Sequence, residues 1–254
     1  MKKFRLTDNK KEVCGRTFYQ IESLIDFGDV QTGDKGGWIA KEENLSQCGN
    51  AWVYDDAKVS GNAWVSGNAK VSGNAWVSGN ARVYDDAKVS GNAKVSGNAK
   101  VSGNAWVSGN AWVYGNAWVY DGAKVSGDAE VSGNAKVSGN AKVSGNAWVY
   151  DGAKVSGDAE VSGNAKVSGN AWVSGNANMH DEADILWISR VGSRLGTTTA
   201  FKNKDGGISI VCGCFYGTLA EFAEKVKETH NDNKFAKEYN LLIKLIKVHF
   251  EVEE

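Results

Sequence analysis

The sequence of 254 residues contains no proline, only three histidines and two methionines, and four cysteines. Proline removes a backbone donor, so its absence suits a chain whose strands use every N–H group. The cysteines stand at positions 14, 48, 212 and 214 and form no paired framework, which favours a reducing cytosol over a disulfide-stapled fold. No apolar run reaches membrane length, and the first residues contain no apolar segment of the secretory type. We therefore expect a cytoplasmic protein that does not engage a membrane.

Neither positive nor negative charge dominates the sequence. Lysine and arginine number 29 against 30 aspartates and glutamates, which gives a formal net charge of −1. A chain this balanced has no global field that would attract nucleic acid or an acidic membrane surface. We therefore expect neither nucleic acid nor lipid as a partner.

One six-residue sequence repeat fills the chain from Trp52 to about Asn176. Valine occupies every sixth position from Val53 to Val173, 21 positions in all. In the unit at 63–68, A-W-V-S-G-N, strand alternation places alanine and valine on one face and tryptophan and serine on the other. The Gly-Asn pair then tolerates a positive φ and turns the chain. A short strand followed by a corner, repeated without interruption, predicts a parallel coil whose core is valine and alanine.

This pattern resembles the left-handed parallel β-helix of the hexapeptide-repeat families, which have an aliphatic residue at the first position and a small one at the fifth. The resemblance implies that three hexads close one triangular coil. We therefore predict a mainly β fold: a left-handed parallel β-helix capped by a small N-terminal β module and a small C-terminal α+β module. The predicted domains are 1–44 for the N-terminal cap, 45–188 for the β-helix and 189–254 for the C-terminal module.

Both ends of the chain depart from the repeat. The segments at 16–21 (R-T-F-Y-Q-I), 26–30 (D-F-G-D-V) and 36–39 (G-G-W-I) resemble the head of hexapeptide-repeat proteins found in phages and prophages. Near the other end, N-K-D-G at 203–206 is a hairpin signal, and T-L-A-E at 218–221 is a capping box that opens a helix. A second, amphipathic helix follows from Asp232 or Asn233, and this tail also resembles the phage-type proteins.

One histidine is a candidate for catalysis. By resemblance, many left-handed β-helix proteins are acyltransferases that use a histidine as general base and bind the acyl carrier with loops. The repeat contains no histidine between Trp52 and Asn178 and no inserted loop, which leaves His180 as the weak catalytic candidate. The three zinc-binding histidines of the related carbonic anhydrase class would have to be His180, His230 and His249, and the last two lie in predicted helices. We therefore expect no metal and no cofactor.

Two further motifs have simple structural interpretations. Cys212-Gly213-Cys214 places two thiols close together, but a structural zinc site needs four ligands, so we expect buried structural thiols. The carboxylate pairs at 55–56 and 85–86 lack the glycine-rich calcium repeat of other solenoids and are interpreted as solvated turn residues.

Tryptophans in the outward position are harder to explain. If three hexads close each coil, every third hexad returns to the same side of the solenoid. The second side then carries Trp76, Trp112 and Trp148, which alternate with charged residues, and Tyr114 and Tyr150 flank the last two. One interpretation is that the tryptophans pack over lysine stems and gain cation–π energy. The other is an interaction site, which exposed aromatic patches usually mark, and on that interpretation these five residues are the predicted binding surface.

These observations predict a non-catalytic β-solenoid that binds protein. We expect a phage or prophage accessory protein, in the cytoplasm of a bacterial host, that binds a host or virion protein and self-associates, as a trimer in the resembling families. A host-directed inhibitor is one version of this prediction. Two alternatives stay open: an acyltransferase-like hexapeptide enzyme that uses His180, and a glycan binder that uses the exposed tryptophans.

Overall fold

The structure, a computed structural model, describes residues 2–252; Met1, Glu253 and Glu254, at the outer ends of the predicted caps, lie outside the described residues. The predicted fold class is confirmed: the chain is a parallel β-solenoid of hexapeptide repeats with a β module before it and a small α+β region after it. The predicted domain bounds stay a prediction, and one strand, Ile185–Val191, runs across the bound at 188.

The N-terminal module is an antiparallel hairpin that continues into the solenoid. Strand β1 (Phe4–Val13) pairs with β2 (Arg16–Ser23). Strand β3 (Lys35–Ile39) is antiparallel to β2 but parallel to the first repeat strand on its side. The hairpin therefore extends one sheet of the solenoid and covers its first coil.

The repeat forms 22 two-residue strands, one per hexad, each carrying the residue before valine and the valine or its equivalent. They are β4 (Trp52–Val53), β5 (Lys58–Val59), β6 (Trp64–Val65), β7 (Lys70–Val71), β8 (Trp76–Val77), β9 (Arg82–Val83), β10 (Lys88–Val89), β11 (Lys94–Val95), β12 (Lys100–Val101), β13 (Trp106–Val107), β14 (Trp112–Val113), β15 (Trp118–Val119), β16 (Lys124–Val125), β17 (Glu130–Val131), β18 (Lys136–Val137), β19 (Lys142–Val143), β20 (Trp148–Val149), β21 (Lys154–Val155), β22 (Glu160–Val161), β23 (Lys166–Val167), β24 (Trp172–Val173) and β25 (Asn178–Met179).

These strands build three parallel sheets, one for each side of the coil. The first side runs from β4 to β25, the second continues the N-terminal hairpin from β5 to β23, and the third runs from β6 to β24. Lys88 pairs with Trp106 and Trp106 with Lys124, so the register advances by three hexads per coil, as predicted. Backbone N–H groups donate to the next coil, for example from Trp106 to Ala123 at 2.9 Å.

The core consists of stacked valines and alanines that are excluded from solvent. Burying a valine contributes about 1.5–3 kcal/mol, and each coil adds three such side chains to a continuous column. Because each coil contacts only its neighbours, the array needs protected ends. Phe4 and Trp52 close one end, and Phe201 and Val211 belong to the same core cluster at the other.

Most corners contain a glycine with positive φ, but four contain an aspartate. Asp55, Asp85, Asp121 and Asp151 adopt φ between 51° and 59°. Each carboxylate accepts a hydrogen bond from the glycine N–H in the next coil, for example Gly73 N–H to Asp55 Oδ2 at 2.9 Å. The predicted solvated turn residues are therefore exposed, yet they also bind one coil to the next.

The C-terminal module begins with a 3-10 turn (Glu182–Asp184) and a four-stranded antiparallel sheet: β26 (Ile185–Val191), β27 (Gly196–Lys202), β28 (Ile208–Cys212) and β29 (Phe215–Thr218). Helix α1 (Leu219–His230) has the predicted capping box, and α2 (Lys234–His249) begins after the N-cap Asn233. Neither helix, within the part of the chain that the structure describes, is long and apolar enough to span a bilayer.

Candidate functional site

His180 lies at the corner where the repeat ends, directly after β25, and its side chain is exposed. The backbone N–H groups of His180 and Asp181 donate to Asp184 Oδ2 at 2.8 and 3.0 Å. The other carboxylate oxygen of Asp184 pairs with Lys202 Nζ at 2.7 Å. Burial raises the pKa of Asp184, but the Lys202 ammonium and the two backbone donors outweigh it and leave the pKa lowered. The turn that carries His180 is therefore fixed by a buried, ionised carboxylate.

The imidazole of His180 is oriented by Ser162, which occupies the same position one coil earlier. Ser162 Oγ lies 2.5 Å from His180 Nδ1, and which of the two atoms supplies the hydrogen depends on the tautomer of the imidazole. In either tautomer this hydrogen bond occupies Nδ1, and no described residue hydrogen-bonds to Nε2. The second ring nitrogen is therefore open to a substrate at the surface.

Charged residues surround this corner as pairs. Glu160 accepts from Lys142 at 2.9 Å and from Lys204 at 3.1 Å, and these two hydrogen bonds lower the pKa of Glu160. Lys166 pairs with Glu182 at 2.6 Å. At the end of the solenoid, His180 Nε2 therefore lies next to side chains whose charges are already paired with one another.

The three histidines do not meet. His249 Nε2 contacts the carbonyl oxygen of Ala183 at 3.1 Å, whereas His230 stacks on Tyr239 with ring centroids 5.5 Å apart. Within residues 2–252, no three histidine, cysteine, aspartate or glutamate side chains gather as metal ligands would. The structure therefore brings Ser162 and Asp184 to His180, not the other two histidines.

Sequence reasoning missed Ser162, although the coil register pointed to it. The residue three hexads before another lies directly beneath it in the neighbouring coil, and three hexads before His180 is Ser162. The predicted register was available, but it was applied only to outward tryptophans and charges.

The predicted aromatic surface on the second side is not uniform. Trp76 is partly covered by Phe18 of β2, with ring centroids 6.3 Å apart. Further along, Trp112 and Trp148 are 40% and 36% exposed. They pack against Tyr114 and Tyr150, with centroids 4.4 and 4.7 Å apart. Two Trp–Tyr pairs, rather than three equivalent tryptophans, are therefore available for contact.

The indoles lie along the solenoid surface because their N–H groups have a fixed partner. Six of them donate from Nε1 to the Oγ atom of a serine in the preceding coil, at 3.0–3.3 Å. The pairs are Trp76–Ser60, Trp106–Ser90, Trp112–Ser96, Trp118–Ser102, Trp148–Ser132 and Trp172–Ser156. This hydrogen bond gives each indole a structural role on the coil beneath it and leaves one ring face outward.

The expectation of two buried thiols in Cys212-Gly213-Cys214 is wrong. Cys212 ends β28 and is half-buried, but Cys214 is exposed. Gly213 adopts φ of 61° and begins the turn to β29, so the chain leaves the strand before Cys214. The same turn separates β28 from β29.

The chain is similar to a family model, to a curated protein and to a solved structure. A family model described as "YdcK Beta solenoid repeat" matches residues 99–115. The "Uncharacterized acetyltransferase YdcK" of Escherichia coli (strain K12) is 38% identical over 71 residues, which cover 24% of this chain and 21% of that protein. The crystal structure of PerB from Caulobacter crescentus, in complex with CoA and GDP-perosamine, aligns with a TM-score of 0.32 and 16% identity over 48% of this chain and 58% of PerB. The chain thus spans about a fifth of the curated relative it matches.

The curated match corrects the functional prediction. A non-catalytic binding protein is what the sequence predicted, but the relative that shares the repeat is named an acetyltransferase. The prediction that the chain is not an enzyme is therefore overturned in favour of the alternative, an acyltransferase-like protein. The phage-type origin is not shown by any of these similarities.

Proposed function

We propose that the chain is an acyltransferase-like hexapeptide enzyme in which His180 is the general base. The acetyltransferase-named relative supports the reaction class. The observation that carries the residue assignment is the hydrogen bond between His180 Nδ1 and Ser162, which orients the ring and leaves Nε2 without a partner at the surface. A general base must lie within hydrogen-bond reach of the proton that it takes, and the exposed Nε2 is open to an acceptor from solvent.

In the proposed reaction, His180 Nε2 takes the proton from a hydroxyl or amine of the acceptor. The acceptor oxygen or nitrogen attacks the thioester carbonyl of the acyl donor and forms a tetrahedral intermediate. The C–S bond then breaks, the acyl group stays on the acceptor, and the imidazolium returns its proton to the leaving thiolate. Ser162 and Asp184 act as positioning residues, since neither touches the substrates: Ser162 orients the imidazole ring and Asp184 fixes the turn.

The test uses acetyl-coenzyme A as donor with a panel of amino sugars and sugar alcohols, and follows release of the free thiol. His180→Ala should lower kcat by about 10²–10⁴-fold, the usual contribution of a general base. Ser162→Ala should lower kcat less, with an unchanged KM, because it alters the orientation of the imidazole rather than substrate binding. Ser144→Ala removes the same serine one coil earlier, beneath no histidine, and should leave kcat unchanged.

Two outcomes would contradict the proposal. One is wild-type thiol release no faster than that of the heat-denatured protein with every acceptor. The other is full activity of His180→Ala. Circular dichroism of each variant checks that the solenoid is intact, so a loss of activity is not a loss of fold.

The remaining predictions about partners belong to the same proposal. We propose that the protein self-associates through the pairs Trp112–Tyr114 and Trp148–Tyr150, whose exposed rings are supported by their serine partners. A cytoplasmic location is supported by four free cysteines, three of them exposed. A phage or prophage origin, with a host or virion protein as partner, is supported by the resemblance of both end modules alone.

A further inference from the structure

A cavity of about 400 Å³ opens in the C-terminal module, away from the residues assigned to the His180 site. It lies between the β28–β29 turn, helix α1 and Tyr239 of α2, with the loop at 193–196 along one edge. None of Ser162, His180 or Asp184 lines it. The cavity is large enough for a small organic molecule, for which sites of about 300–1,000 Å³ are usual.

One wall of the cavity is aromatic. Phe215 and Phe222 have ring centroids 5.3 Å apart, and Phe222 meets Tyr239 edge-to-face at 5.6 Å. His230 stacks on Tyr239 at 5.5 Å with an interplanar angle of 26°. Each ring is thus held by another ring, so the wall is preformed. Such a surface suits a flat or aliphatic apolar body.

The charged side chains that line the cavity are basic. Arg194 and Lys225 contribute to it, and none of its thirteen described lining residues is an aspartate or a glutamate. Lys225 pairs with Glu228 at 3.1 Å, on the outer face of α1. Arg194, by contrast, forms no ion pair among residues 2–252. A guanidinium beside an apolar wall favours a ligand with one anionic end.

Two polar groups of the cavity, Cys212 and Tyr239, already have a hydrogen-bond partner. Thr198 Oγ1 donates to Cys212 Sγ at 3.2 Å, and Cys212 Sγ lies 3.7 Å from Tyr239 Oη. Burial raises the pKa of Tyr239 to about 12, so its hydroxyl stays protonated at neutral pH. The anion would therefore be recognised by Arg194 rather than by these groups. Cys214 lines the cavity and is exposed to solvent, which makes it a reporter of occupancy.

We propose that this cavity binds a small organic carboxylate, with its apolar body against Phe215, Phe222 and Tyr239 and its carboxylate beside Arg194. The site is independent of the proposed acyl transfer, because its residues and those of the His180 site do not overlap. A failure of either proposal leaves the other standing.

Titration calorimetry with 1-naphthoate tests the proposal, and 1-naphthalenemethanol serves as a neutral compound of the same shape. We expect one saturable site for the carboxylate and at least about tenfold weaker binding of the alcohol, because a hydrogen bond to a charged group contributes about 1.5–3 kcal/mol. Arg194→Gln should remove that preference, whereas Arg190→Gln, an exposed arginine outside the cavity, should keep it. Thr229→Trp, at an exposed position on the cavity rim, should abolish binding of both compounds.

Alkylation by N-ethylmaleimide gives a second measurement of binding that does not depend on calorimetry. Bound 1-naphthoate should slow modification of Cys214, while Cys14 and Cys48, exposed in the N-terminal part of the chain, react at unchanged rates and act as internal controls. The proposal is overturned by an absence of saturable naphthoate binding at millimolar concentration. Equal affinity for carboxylate and alcohol, or equal protection of all three cysteines, would overturn it as well.

Discussion

The corners of the solenoid leave little room for an added methyl group, and Gly97→Ala is the example we develop. Gly97 has φ of +66°, a conformation that costs an L-residue about 1–2 kcal/mol. A Cβ atom there would lie 2.9 Å from the backbone oxygen and 3.0 Å from the backbone nitrogen of Gly115 in the next coil. Overpacking against atoms that cannot rotate away adds about 1–3 kcal/mol. The expected loss in the free energy of unfolding is therefore about 2–5 kcal/mol.

Gly97→Asp should be less harmful than Gly97→Ala, although aspartate is larger. Asp85 already occupies an equivalent corner at φ of 59°, and its carboxylate accepts a hydrogen bond from Gly103 N–H at 3.3 Å. Aspartate tolerates this conformation better than alanine, and the hydrogen bond to the next coil offsets part of the crowding. We expect Gly97→Asp to retain about 1 kcal/mol more stability than Gly97→Ala.

Guanidinium unfolding, followed by circular dichroism and by tryptophan fluorescence, measures both effects. Gly206→Ala is the matched control, since Gly206 has φ of +78° but an added Cβ would meet nothing within 4 Å. Its loss should reflect the conformation alone, about 1–2 kcal/mol, and the excess loss of Gly97→Ala measures the contact between coils. A loss for Gly97→Ala no greater than that of the control, or a Gly97→Asp variant less stable than Gly97→Ala, would refute the reasoning.

Two further predictions concern the first coil and the second side. Burial lowers the pKa of Lys3 to about 8, so between pH 8 and 10.5 the unfolded chain binds more protons than the folded one. As pH rises through that window, the free energy of unfolding of the wild type should therefore increase by up to ~3 kcal/mol relative to that of Lys3→Met. Denaturant unfolding at each pH measures this difference, and a difference that stays constant with pH would contradict the prediction. Changing Trp112 and Trp148 to serine should lower the oligomer mass measured by light scattering. The control changes Trp64 and Trp106, which are about as exposed but lie on the other two sides, and should not lower the mass. Equal masses for the two double variants would argue against a contact through the second side.

The solenoid could be predicted from sequence because one physical rule decides it. Valine at every sixth position is buried only if each corner turns the chain by the same amount, and three hexads then return it to the same side. The sequence also predicted the N-cap Thr218 and narrowed the second N-cap to Asp232 or Asn233, since such side chains bond to the first turn of the helix that follows, and the structure shows Asn233. Each of these signals lies within a few neighbouring residues, and in the solenoid the same short signal is repeated in every hexad.

What escaped prediction depends on contacts between parts that are not repeated. Nothing in the phrase around Trp76 indicates that Phe18, from a hairpin far earlier in the chain, covers its ring. The exposure of Cys214 depends on where the turn at Gly213 falls. The pairing of Ser162 with His180 needs the register of a coil whose sequence has already begun to change.

The position of His180 at the end of the array follows from the way the array is built. A residue inside the repeat has neighbours from the same few residue types in the coils above and below it, so the solenoid presents serine, lysine, glutamate and tryptophan in varying order along its sides. The phrase beginning at Trp52 recurs in part at Arg82, and the one at Trp118 recurs at Trp148, each five hexads later. That spacing is a whole number of hexads but not of coils, so it keeps valine in the core while moving every outward residue to a different side. Such copying keeps the core intact but changes which outward residues lie together on each side. A combination of groups that must occur once, such as a histidine oriented by a serine beneath it and held by a buried aspartate, can arise only where the repeat breaks, and His180 lies at the first such break after the last valine.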